Sequence, residues 1–238
     1  MHVIDYRHGT AQAPYPEPAV FAEKRNRLQE LIHKLEASPL KHNHVYFSLV
    51  TAGTIIESIR NEVADKHIDM IVMGTKGNSG IKKIVIGSNT TDVINKVKCT
   101  TLVIPEEAKF TTIKNIALPT DYNIFFGPKI LETLSDILKM FDAKIHIAHL
   151  AKKKELIAGE QIQNKEILHD YFSDNRHNFL SVTNQNLDLA IQECVDTQQI
   201  NLIAMVARNI HFFQQLFFSS NHDLTRYQRE IPFLVLHE

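Results

Sequence analysis

Between Gly74 and Thr90 the chain reads GTKGNSGIKKIVIGSNT, a stretch that holds four of its eight glycines. A glycine has no Cβ, so Gly74, Gly77 and Gly87 let backbone N–H groups come close to an anion and also permit positive φ. Ser88 and Thr90 add hydroxyls, and SNTTDVINKV has the pattern of a helix whose first N–H groups lack intrahelical partners. The chemistry this suits is phosphate binding. The structural alternative is that the glycines make turns and that Ser88 or Asn89 caps the helix. On the residues alone the two readings stand level, because a lone glycine loop is a weak signal. No glycine is followed by Lys and then Ser or Thr, so this is not a Walker A loop.

Other residue sets carry less. Of 13 histidines, His42 with His44 and His146 with His149 share strand faces or lie close together. No Cys, Asp or Glu at ligand spacing completes a metal set, so strand-edge or surface roles are expected. There is no GxSxG elbow, no HExxH helix and no paired nucleophile and base. Cys99 and Cys194 are the only cysteines; far apart and outside any CxxC, they fit a reducing compartment. A net charge of −1 with scattered Lys and Arg leaves no field to gather nucleic acid. The first residues, MHVIDYRHGTAQAP, lack the basic start and apolar run of a signal peptide, and no apolar segment is long enough to span a membrane. A cytoplasmic protein is expected. The run Lys152 to Glu155 reads as a solvated loop.

The elements that position the glycines follow from an internal repeat. An offset of 132 residues aligns Asn43–Glu106 with Asn175–Glu238 without a gap. It matches Phe47 with Phe179, Ile59 with Ile191, Val63 with Val195, Ile68 with Ile200, Ile71 with Ile203, Met73 with Met205 and Leu102 with Leu234. In each copy short Val- and Ile-rich runs alternate with helical stripes. HVIDY, HVYFSLV, DMIVMG and TTLVIP are strands of the first copy; NIALP, KIHIAHL, FLSVT, LIAMVA and FLVLH are those of the second. The helical stripes of the first copy are Val20, Phe21, Leu28, Leu31, Ile32, Leu35, then Ile55 to Val63, then Val93, Ile94, Val97. In the second they are Ile130 to Phe141, a weaker one from Ile162 to Phe172, Leu187 to Val195, and a short one after Ser219. This alternation predicts tandem doubly wound parallel α/β sheets, with domains at 1–106 and 113–238 and a polar boundary at Glu106–Thr112. The glycine loop then lies beyond the carboxyl end of the DMIVMG strand, where open α/β sheets bind ligands.

At these residues the chain resembles the universal stress protein family. Its ATP-binding members carry GxxG, nine residues, then G and S or T, a spacing matched by Gly74, Gly77, Gly87 and Ser88. DMIVMGTKG resembles the family's fourth strand, and KNIALPTDY its first strand with the acidic residue that follows. The resemblance implies a Rossmann-like universal stress protein fold and an adenine nucleotide, ATP, held in the first domain only. Gly74 and Gly77 would lie along the ribose and phosphates, and Gly87, Ser88, Asn89 and Thr90 would hold phosphates, with Met73 lining the pocket through its backbone. It also implies a role in stress response through nucleotide-dependent association, with at most weak ATP hydrolysis. The alternative is a scaffold that binds no nucleotide and acts by protein association. A third reading is an enzyme of the wider adenine-nucleotide α-hydrolase-like group, with a substrate pocket in the second copy.

Two departures from the family pattern shape the expectations. In the second copy the glycine positions hold Val206, Asn209 and Ser219, a degenerate motif expected not to bind ATP. Phe212, Phe213, Phe217 and Phe218 are expected to pack over that site or against the other copy, the alternative being an exposed protein-binding patch. Matching HVID to IAHL leaves the second copy with about 36 residues, one strand and one helix, that the first copy lacks. The first domain therefore reads as N-terminally incomplete: it has glycines without the aspartate, whereas the second has Asp121 without glycines. A disturbed sheet between HVIDY and DMIVMG is expected. The two copies should pack on each other, with Thr101–Pro105 beside Phe233–His237 across a pseudo-twofold axis; a homodimer is a further expectation.

Overall fold

The computed structural model describes residues 1–5, 15–37, 44–75, 87–151, 156–184, 186–208 and 226–238, which form seven helices and nine strands. Gly77, His42, Lys152 to Glu155, Asn209, Ser219 and the four phenylalanines from Phe212 to Phe218 lie outside these residues. The chain falls into two compact units, Met1–Ile68 and Asp69–Glu238.

In the first unit, β1 (His2–Asp5) and β2 (Val50–Gly53) make a parallel pair with His2 opposite Val50. The strand expected over HVYFSLV, His44 to Val50, begins only at Val50, and Val45 and Phe47 are 75% and 85% exposed. Apolar alternation makes a strand where a neighbour supplies hydrogen bonds and a layer covers the side chains; β1 pairs with Val50–Gly53 and reaches back only to Leu49 O, which accepts from His2 N–H at 2.8 Å. Helix α1 (Pro18–Glu36) starts with proline in its first turn, where a missing N–H costs nothing. Of its expected stripe, Val20, Phe21, Leu28 and Ile32 are half-buried, while Leu31 and Leu35 face solvent. Helix α2 (Ile55–Asp65) opens on a Thr54-x-x-Glu57 box: Thr54 Oγ1 accepts from the Glu57 N–H at 3.4 Å and donates to the Glu57 carboxylate at 2.8 Å. No described residue of this unit is fully buried.

The second unit is a seven-stranded sheet in the order β3-β4-β9-β8-β5-β6-β7. Its strands are β3 (Met70–Gly74), β4 (Thr100–Ile104), β5 (Asn115–Thr120), β6 (Lys144–Ala151), β7 (His177–Thr183), β8 (Leu202–Val206) and β9 (Phe233–Leu236). The helices are α3 (Ser88–Lys96), α4 (Pro128–Phe141), α5 (Glu160–Tyr171), α6 (Leu187–Gln198) and α7 (Arg226–Glu230). Every strand pair is parallel except β4 with β9. Helices cover both faces of β5, β6 and β8, so these strands read as continuous apolar runs. On one face Ile116, Leu118 and Ile145 pack with Ile130, Leu134 and Leu138 of α4; on the other Ala148, Ile203 and Met205 pack with Ile191 and Val195 of α6.

The β4–β9 pairing fulfils the expectation of adjacent terminal strands. Thr101 faces Val235, Leu102 faces Leu234 and Val103 faces Phe233. Because the repeat offset makes Leu234 the counterpart of Leu102, a pseudo-twofold axis passes through that pair, and each strand covers the other's edge. The repeat extends to helix ends. Ile68 N–H donates to Val63 O at 3.1 Å and Ile200 N–H to Val195 O at 3.0 Å, with His67 and Gln199 left-handed at φ 49° and 52°. These are the same six-to-one closure at equivalent positions, made without glycine.

Candidate functional site

Three bonds tie the carboxyl end of β3 to β4 and to the start of α3. Thr75, 4% exposed, donates its N–H to Ile104 O of β4 at 3.1 Å. Its own carbonyl accepts from Gly87 N–H at 2.5 Å. Thr90, also 4% exposed, donates its hydroxyl proton to Gly74 O at 2.8 Å. Of the expected site residues, Gly74, Gly87, Ser88, Asn89 and Thr90 therefore meet at one place. Met73, opposite Val103, leads into it along β3; Gly77 falls outside the described residues.

The geometry narrows why glycine stands here. Gly87 has φ −62° and ψ 153°, and among the described residues the positive-φ glycines are Gly53 and Gly159, so neither Gly74 nor Gly87 is held by left-handed backbone. A Cβ built on Gly74 finds among the described residues only Ile104 O, at 4.0 Å. Packing among the described residues does not demand the missing side chain, and its absence opens the backbone to approach. Helix α3 starts at a residue with no side chain to cap it, unlike α2, capped by Thr54, and α6, capped by Asn186 Oδ1. Its first N–H groups and dipole end therefore suit an anion. Ser88 and Asn89 are exposed there, whereas Thr90's hydroxyl proton is engaged with Gly74 O and its N–H is what it can offer.

The equivalent place in the second copy is built differently. Val206 stands at the position of Gly74 with 5% exposure, its side chain in the core. The ladder between β5 and β8 joins Ile116 to Leu202 and Ala117 to Ile203. Past the end of β5, Tyr122 is 2% exposed and stacks on His149 of β6 with ring centroids 5.1 Å apart. Burial pushes its hydroxyl up to about 12. Burial likewise lowers His149, with Asp121 acting against it and Lys165 with it. Tyr122 holds φ 59°, an uncommon conformation for a bulky residue. Its N–H donates to Thr120 Oγ1, its carbonyl accepts from Asn164 Nδ2, and the Asp121 carbonyl accepts from Gln161 Nε2. Asp121 itself accepts the Asn123 N–H at 3.0 Å, an Asx turn.

Comparison with known proteins bears on the fold. The model of the universal stress protein family matches residues 1–105. Over those 105 of its 238 residues the chain is similar to the universal stress protein family. A universal stress protein from Archaeoglobus fulgidus superposes with TM-score 0.61 at 18% identity, covering 100% of this chain and 86% of its own. A protein of unknown function from Pseudomonas aeruginosa PAO1 gives 0.55 at 15% identity, covering 99% and 81%. A putative universal stress protein from Pseudomonas aeruginosa UCBPP-PA14 gives 0.53 at 15%, with the same coverage. These likenesses show the Rossmann-like universal stress protein fold. No curated protein sequence matches the chain.

Two features of this structure escaped the sequence. Thr75 joins β3, β4 and α3 through its backbone; its place directly after the strand-ending glycine was the available signal. The Tyr122–His149 stack had none, since it depends on a left-handed tyrosine. Among the described residues no group of three or more His, Cys, Asp and Glu side chains could hold a metal, and no helix is long and apolar enough to cross a membrane.

Proposed function

We propose that this universal stress-type protein binds an adenine nucleotide, ATP, in its first copy and uses it to control association in a stress response. One observation carries the reading: bare backbone at Gly74 and Gly87 closes a strand end onto an uncapped helix start, and the described residues give no packing reason for glycine at Gly74. In this reading Gly74, Gly77, Gly87, Ser88 and Asn89 surround the ribose and phosphates and Thr90 fixes the helix start against β3. The second copy takes no nucleotide, because Val206, Tyr122 and His149 fill its strand ends with the protein's own side chains. With no nucleophile and base paired at the site, turnover of ATP is at most slow.

The test is thermal unfolding with ATP, ADP, AMP and unrelated small molecules, since a ligand of the native state raises apparent stability by mass action. ATP should raise the midpoint of the wild type and leave Gly87→Val and Gly77→Asp unshifted, with unchanged circular dichroism. Sizing with and without ATP then reads association. An equal ATP response in wild type and variants sinks the proposal. If no nucleotide acts at all, the scaffold reading replaces it.

A further inference from the structure

At the corner between α5 and β7, far in sequence from the glycine loop, two imidazoles converge. His169 in the last turn of α5 and His177 at the start of β7 have ring centroids 5.5 Å apart, with planes at 89°. Phe179, two residues along β7 and so on the same face, backs both: its centroid is 5.9 Å from His169 and 5.8 Å from His177. His169 is exposed and His177 half-buried, so solvent and ions reach the pair.

The nitrogens have defined roles. His177 Nδ1 lies 3.0 Å from Asn175 O. A carbonyl only accepts, so Nδ1 carries the hydrogen and Nε2 keeps its lone pair. His169 Nδ1 lies 3.6 Å from Asp170 Oδ1, which leaves Nε2 as the nitrogen not facing that carboxylate. A neutral imidazole whose other nitrogen faces a carbonyl or carboxylate is the arrangement of metal-ligating histidine. Bonds of about 2.0–2.1 Å from one ion to two such nitrogens bring the ring centres to about 5–6 Å, the spacing seen here.

We propose that His169 and His177 form a two-imidazole site for a divalent ion of the Zn(II), Cu(II) or Ni(II) class, completed by water. Imidazole suits these metals rather than Mg(II) or Ca(II), which take oxygen donors. With two protein ligands, and with Lys165 Nζ 5.5 Å from the Phe179 centroid adding positive charge nearby, the site is exchangeable rather than structural. The bound ion ties the end of α5 to β7, the end strand of the seven-stranded sheet.

The test uses the full chain without an affinity tag. Zn(II) is titrated calorimetrically into wild type, His169→Ala, His177→Ala, the double variant and His67→Ala, an exposed histidine outside the site. Each site variant should lose on the order of tenfold or more in affinity, the double variant little beyond either single one, and His67→Ala nothing. Cu(II) electron paramagnetic resonance should show two coupled nitrogens in wild type and fewer in His169→Ala. Should His177→Ala misfold, the exposed His169→Ala decides alone. Less than tenfold loss in His169→Ala, full binding by the double variant, or no binding of Zn(II), Cu(II) or Ni(II) at millimolar concentration overturns the proposal.

Discussion

Ile59 and Ile191 hold the same place in the repeat, as do Val63 and Val195, and Ile68 and Ile200. In the second copy these side chains are 2%, 2% and 3% exposed. In the first, Ile59 and Val63 are only half-buried and Ile68 is 38% exposed. The helices are alike in pattern; their surroundings differ. Helix α6 lies on a seven-stranded sheet whose strand β5 is paired on both sides, whereas β1 and β2 form a sheet of two. The comparison teaches that a hydrophobic stripe fixes which face a helix would bury, while the burial itself depends on the layer beneath.

The largest effect should appear when this inequality is probed directly. Ile191→Ala removes a fully enclosed side chain and should cost about 2–5 kcal/mol. Ile59→Ala, at the equivalent but half-open site, should cost about 1 kcal/mol or less. Urea unfolding of both variants reads the difference. Equal losses would mean that the two copies bury this residue alike, and the contrast drawn above would fall.

The second effect distinguishes the copies by acid. His146 of β6 is 3% exposed with Nε2 3.1 Å from Asn115 Oδ1. Burial, with help from Lys144 and against the side chain of Gln198, lowers it from 6.5 to about 4. The unfolded chain takes up this proton below pH 6.5 and the folded one only near 4. Stability is therefore full above about 6.5, falls as pH drops between the two values, and loses nothing more from this group below 4. The loss is at most about 3 kcal/mol. His146→Gln should flatten the urea midpoint of the second unit between pH 6.5 and 4. An unchanged slope would assign the acid response to other groups. The HVID–IAHL alignment puts Met1 at this position in the first copy, which should lack this response.

Much of this was legible because periodicity and the repeat are read directly. The parallel strands and the helix starting after Gly87 follow from them, while the meeting of Thr101–Val103 with Phe233–Val235 was an expectation from the resemblance to the family. What was not legible depends on partners distant in sequence or on backbone no residue type announces. Phe47 copies Phe179 in sequence, but Phe179 packs at the core while Phe47 stands 85% exposed outside any strand. At the site, the loop ends were readable from Gly74 and Gly87. That Thr90 donates to Gly74 O required the fold.

The smallest effect tests what the copies share. His67 and Gln199 are exposed residues in the left-handed region at φ 49° and 52°, each just before the residue whose N–H closes its helix end. A side chain in that conformation costs roughly 1–2 kcal/mol that glycine avoids, offset in part by glycine's greater freedom when unfolded. His67→Gly and Gln199→Gly should each stabilise by about 0.5–1 kcal/mol. Neither loses a buried contact, and the Gln199 carbonyl that accepts from Asn115 Nδ2 is backbone and stays. The readout is the unfolding midpoint of each unit. A gain in both units means that the helix-ending device of the repeat is equally formed in both copies, though their cores are unequal. A gain from Gln199→Gly alone would mean that Ile68 and Val63 do not hold their closure in solution, extending the inequality between the copies from side-chain packing to the backbone.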